Sequence, residues 1–135
     1  MSENPNPPYL ALKAAMMPRD TNPHGTIFGG VLLSYIDQAG AVGARHVARQ
    51  KSWPELPLVT VGMERVEFHQ PVQVGDIVSF WTNLVRVGRT SITMHVLVDV
   101  DHVGEVVKVT EATVTYVAVE LRDGERRPVA IQSST

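Results

Sequence analysis

Only one long stretch of this chain carries a helical period: Asp20 to Val47, DTNPHGTIFGGVLLSYIDQAGAVGARHV. From Gly30 onward, Leu32, Ile36, Ala39, Gly43 and His46 or Val47 recur at steps of three and four and line one apolar stripe. Ser34, Asp37, Gln38, Ala41 and Arg45 fall on or near the opposite side. Nearly everything that follows reads as strand, and one helix with enough strands to wrap it leaves few architectures. The second half of the helix is dominated by Ala39, Gly40, Ala41, Gly43 and Ala44. A glycine inside a helix costs about 1 kcal/mol relative to alanine. Something must therefore approach this backbone closely, either a curved sheet or a second copy of the helix.

Around the helix, Met1 to Pro8 is polar and proline-rich and suits a disordered tail. Tyr9 to Met17 is predicted as a first strand, ended by Pro18. After Trp53, Pro54 and Pro57 come valine-rich runs at Leu58 to His69 and Ile77 to Val87, with a turn at Gly75 and Asp76. Ile92, Met94, Val96, Val98 and Val100 then alternate with polar residues, the period of a half-buried strand. Val106 to Val119 reads as the last strand, and residues 122–135 as a charged tail hanging off a domain of residues 9–121. Short turns between strands favour antiparallel neighbours. The fold class is α+β, with one helix on one face of a twisted antiparallel sheet. One helix covers only part of such a sheet, so dimerisation is the natural completion.

At 135 residues the chain can bury one core. Twelve basic against 14 acidic residues leave no electrostatic footprint for nucleic acid, so any anionic ligand must be held by local groups. With no cysteine there is neither a disulfide framework nor a thiolate metal site. No signal peptide or membrane-length apolar run is visible, which makes the cytoplasm the expected location. The five histidines show no helical metal spacing, and His46, His69, His95 and His102 fall on different predicted elements, so no metal is expected. His24 stands in the glycine loop and reads most simply as an exposed turn residue.

Three places could carry chemistry. Gly29 and Gly30 put residues without side chains where a helix start leaves backbone donors unsatisfied. Such a mouth suits an anion or a carbonyl oxygen gaining charge, or simply a tight turn into a helix, and the pattern leaves both open. Asp37 lies about two turns further on. An aspartate on a polar helix face is usually a solvated charge. Gly88, Arg89 and Thr90, followed by Ser91, form a strand reversal that could bind a phosphate or be an ordinary hairpin tip.

Taken together, PRDTNPHGTIFGGVLLSYIDQAG, VEFHQPVQVGD, LVRVGRTSI and ATVTYVAV closely resemble the hot-dog-fold acyl-CoA thioesterases, in particular the bacterial short acyl-CoA hydrolase group related to the mammalian cytosolic and brain enzymes. The resemblance runs from about Leu10 to about Pro128. It implies a curved sheet around a central helix, paired into dimers with continuous sheets that commonly assemble into hexamers. It further implies an active site at the dimer seam, where Asn22 of one subunit faces Asp37 of the other, Asp37 either activates the attacking water or itself attacks the thioester, and the amide of Gly29 or Gly30 takes the oxyanion role. Gly88, Arg89 and Thr90 would lie near the phosphates of coenzyme A, and the helix glycines would mark the seam. No cofactor is implied, because coenzyme A is part of the substrate and a thiolate already leaves well. An acyl-CoA-sensing domain without turnover, or a hydratase using His24, are the competing expectations for this fold. Acyl-chain length would be set in the tunnel by residues such as Phe68, Trp81 and Met94.

Overall fold

The computed structural model describes residues 7–102 and 104–132, without the side chain of residue 102. The expected tail therefore lies outside the described residues over positions 1–6, and the last three residues do as well. Strand β1 (Tyr9–Ala15) leads through a short 3-10 turn (Pro18–Asp20) to helix α1 (Gly29–Gln50). Strands β2 (Leu58–Phe68), β3 (Ile77–Val87), β4 (Ser91–His102), β5 (Glu105–Arg122) and β6 (Glu125–Pro128) follow. Their pairing is antiparallel throughout, in the order β1-β3-β4-β5-β2, with β6 added to the end of β5.

Two expectations change. First, β2 and β3 are not neighbours: the connection after Phe68 carries the chain from one edge of the sheet toward the other, so β2 pairs with β5 instead. Gly75 makes the turn before β3 in the left-handed region (φ 89°), and its amide donates to the Met16 carbonyl. Second, the segment after Asp123 does not hang free. Asp123 and Gly124 form a turn, β6 pairs with Val119–Arg122, and Ile131 is buried with its amide on the Arg89 carbonyl. Apolar Val129 and Ile131 draw this segment back onto the domain.

The core lies between α1 and the concave face of the sheet. Leu32, Ile36, Ala39, Gly40, Gly43 and Ala44 form the buried helix stripe. They meet the alternating inward residues Ile92, Met94, Val96, Val98 and Val100 of β4 and Val114, Tyr116 and Ala118 of β5. Tyr35 and Phe80 pack with ring centroids 5.6 Å apart. Because neighbours along a strand face opposite ways, Trp81 lies on the outer face and not in the helix-side space.

The helix glycines are explained by the protomer's own sheet. A Cβ on Gly40 would overlap the Tyr116 hydroxyl, and one on Gly43 would overlap Thr82. These two glycines therefore do not need a dimer seam, and of the two neighbours their pattern allows, it is the curved sheet that they meet.

Candidate active site

The loop before the helix is pinned from both sides. Asn22 is its organiser: its Oδ1 accepts from the amides of His24 (2.9 Å) and Thr26 (3.1 Å), and its Nδ2 donates to Thr26 Oγ1 (2.8 Å). An amide nitrogen carries two hydrogens, so Thr26 takes only one of them. The Asp20 carboxylate accepts from the Met17 amide, and its carbonyl accepts from Phe28, which fixes the chain where the helix begins. Ile27 is buried and donates to Val72.

At the helix mouth, Phe28 occupies the N-cap position with no side-chain cap, and the first amide to reach back is that of Val31. The amides of Gly29 and Gly30 precede it and point out of the helix end. The Phe68 ring lies against Gly29, where an added Cβ would come within 3.3 Å of it. Together with Ile27, Leu32 and Val72 they line an open depression of about 370 Å³.

Asp37 sits at the other end of this surface. Thr60 Oγ1 on β2 donates to Asp37 Oδ1 at 2.7 Å, and the Tyr116 hydroxyl donates to the Asp37 backbone carbonyl at 2.6 Å. Burial, with the Asp37 charge nearby, drives the Tyr116 phenol well above its ordinary range. Asp37 is thus half-buried and held in place rather than waving in solvent. Sequence reasoning missed Thr60: a lone threonine in a valine-rich strand, twenty-three positions from its partner, carries no signal of its own.

The Gly88–Thr90 turn closes the β3–β4 hairpin, with the Gly88 amide on the Ser91 carbonyl and the Thr90 carbonyl accepting from Ala118. Ala118 pairs with Leu58, two residues along β2 from Thr60, so this tip lies toward the Asp37 end of the surface. The Arg89 side chain is exposed. Within one chain, then, Asn22 and Gly29 lie at the Phe68 end and Asp37 and Thr60 at the other, the end toward which the turn carrying Arg89 also lies. Of the histidines, His24 is exposed and His46 stacks on Tyr9. His69 and His95 come from different elements, as expected, yet both reach Glu111.

The thioesterase superfamily matches residues 24–107. The chain belongs to that superfamily. This thioesterase is 40% identical over 128 residues to the acyl-CoA thioester hydrolase YciA of Salmonella typhimurium, covering 91% of each. It superposes on Cj0915, a hexameric hotdog fold thioesterase of Campylobacter jejuni, with a TM-score of 0.76 and 43% identity over 90% of each chain. The hot-dog fold is thus the fold found. Two mutants of an acyl-CoA hydrolase from Staphylococcus aureus also match. One, with an aspartate changed to alanine, has a TM-score of 0.71 and 28% identity, covering 88% of this chain and 70% of that one. The other, with an asparagine changed to alanine and in complex with coenzyme A, has a TM-score of 0.74 and 26% identity, covering 88% and 68%. Those two altered positions are fifteen residues apart, the same separation as Asn22 and Asp37.

Proposed function

We propose that this thioesterase hydrolyses acyl-CoA to a carboxylic acid and free coenzyme A, at active sites each built from two protomers. The observation that carries the reading is the Asp37 carboxylate, anchored by Thr60 beside the open edge of the sheet. Asp37 accepts a proton from water as that water attacks the thioester carbon. The carbonyl oxygen takes the negative charge and is met by the amide of Gly29 or Gly30 and the remaining Asn22 N–H. Donors of this kind are worth about 2.7–4 kcal/mol each where they have been removed from other enzymes. Collapse of the tetrahedral intermediate expels the thiolate of coenzyme A, which takes up the proton.

One chain does not supply all of this at one carbonyl. Eight residues of helix separate Gly29 from Asp37, about 12 Å of rise, whereas base and oxyanion donor must both lie within about 3 Å of the reacting group. Strand β2 offers the remedy. It ends the main strand order, and Val61 in its middle is 59% exposed, the kind of apolar edge that invites pairing. Antiparallel pairing of β2 with its own copy sets the Thr60 end of one protomer against the Phe68 end of the other. Asp37 of one chain then meets Gly29 and Asn22 of its partner. Likeness to hexameric relatives supports a further trimer of such dimers. Arg89 at its hairpin tip is the proposed phosphate contact for coenzyme A, and the chemistry calls for no cofactor.

The test is release of free thiol from acyl-CoA by the purified protein and by Asp37→Ala. Turnover that is nearly lost in the variant while the oligomer persists supports the reading. Tight acyl-CoA binding without thiol release by the unaltered protein overturns it in favour of ligand sensing.

A further inference from the structure

On the face of the sheet turned away from α1, side chains from three neighbouring strand lanes gather around Glu111. Glu111 of β5 lies between buried Thr110 and Ala112, and His95 of β4 between buried Met94 and Val96, so both side chains point outward. Glu67 of β2 pairs directly with Glu111, and His69 follows just beyond the strand with its amide on Val109. His95 Nε2 is 3.0 Å from Glu111 Oε1, and His69 Nε2 is 3.0 Å from Glu111 Oε2 and 3.6 Å from Glu67 Oε2.

From this geometry we infer a binding site for a divalent transition-metal ion of the zinc class, held by Glu67, His69 and Glu111, whose donor atoms lie within 4.8 Å of one another, with His95 steadying the other oxygen of Glu111. Zinc–nitrogen and zinc–oxygen bonds of about 2.0–2.2 Å place the donors of a tetrahedron about 3.3–3.6 Å apart. His69 Nε2, 3.0 Å from Glu111 Oε2 and 3.6 Å from Glu67 Oε2, is close to that spacing from both carboxylates, and water completes the tetrahedron. One imidazole and two carboxylates, with no thiolate, are a donor set that zinc, cobalt, nickel and copper share. Charge points the same way. Two carboxylates stand directly opposite each other across a strand pair, a destabilising arrangement unless a cation intervenes. The cation now present is the ammonium of Lys108, on Glu111 Oε2, and its side chain is half exposed and free to swing into water. Lys108 and a metal ion compete for the same oxygen.

No short motif in the sequence announces this set, because it is assembled by register: β5 lies between β4 and β2, and the irregular pairing of β2 between Glu64 and Glu67 sets which residues face out at its end. The site backs onto Phe68, whose ring rests on Gly29. An ion there ties the end of β2 behind the helix mouth.

The experiment titrates untagged, chelator-stripped protein with cobalt(II), followed by visible absorption and by thermal unfolding. The expected result is one ion per chain, an intense tetrahedral-type absorption band and a raised midpoint. His69→Ala with His95→Ala should weaken binding at least about tenfold, and both side chains are exposed enough for the variant to stay folded, which circular dichroism checks. Lys108→Met should tighten binding by removing the competitor, a gain that misfolding does not imitate. Absence of saturable binding overturns the site, as does binding that survives the double variant or is indifferent to Lys108.

Discussion

Thr60 Oγ1 donates to Asp37 Oδ1 at 2.7 Å, joining an edge strand of the main sheet to the third turn of the helix. Anchoring one carboxylate oxygen stops the group from rotating and presents the other in a fixed direction. Hydrogen bonds to a charged group are worth about 1.5–3 kcal/mol, which is about 10- to 100-fold in rate if the bond serves the transition state. Thr60→Val, which keeps the shape and removes the hydroxyl, should lower kcat by about that factor with little change in KM. Thr60→Ser should restore most of it. Initial rates of thiol release measure both, and an unchanged kcat in the valine variant would remove Thr60 from the mechanism.

Gly40 and Tyr116 make a second linked pair. Replacing Gly40 with alanine gains helix propensity of about 1 kcal/mol, but the new methyl meets the Tyr116 hydroxyl inside a packed core. Overpacking costs about 1–3 kcal/mol, so the variant should be neutral to less stable by about 2 kcal/mol. In a Tyr116→Phe background the hydroxyl overlap is gone and only the ring carbons, at 3.1 and 3.2 Å, stay close, so the same change should cost less. Denaturant midpoints of the four proteins give the coupling; strictly additive changes would show that the two groups do not press on each other.

The same tyrosine predicts an alkaline limit. Burial and the nearby Asp37 raise its folded pKa far above the unfolded value of 10.0. A raised pKa means the neutral form is favoured by folding, so its contribution is complete below about pH 10 and is lost as pH climbs above that value, where the unfolded chain ionises and the folded one does not. Thermal midpoints should fall more steeply above pH 10 in the wild-type protein than in Tyr116→Phe. Matching slopes would count against this assignment.

Much of this was legible in the sequence, for reasons that can be named. The period of Leu32, Ile36, Ala39 and Gly43 identified both the helix and the face it buries, and the alternation from Ile92 to Val100 identified β4 and its inner side. Both patterns report local geometry. What escaped depends on non-local register: the β2–β5 pairing that brings Thr60 to Asp37, and the return of Val129 and Ile131 onto the hairpin tip. The helix glycines showed that something came close, while the identity of the neighbours, Tyr116 and Thr82, was settled by strands far along the chain.

The composite nature of the proposed site has its own signature. Asn22→Ala and Asp37→Ala are each expected to be nearly inactive as pure oligomers, since every site then lacks one partner. In a mixed dimer, one site receives both altered residues and the other receives the intact Asn22 of one protomer with the intact Asp37 of its partner. Random reassortment makes about half of the dimers mixed, each with one of two sites restored, so about a quarter of wild-type activity should return. Thiol-release assays on the unselected co-expressed mixture measure this, and dimers selected through two affinity tags, all of them mixed, should reach about half. If Asn22 and Asp37 served the same carbonyl from a single chain, no mixture could exceed the activity of its inactive parents.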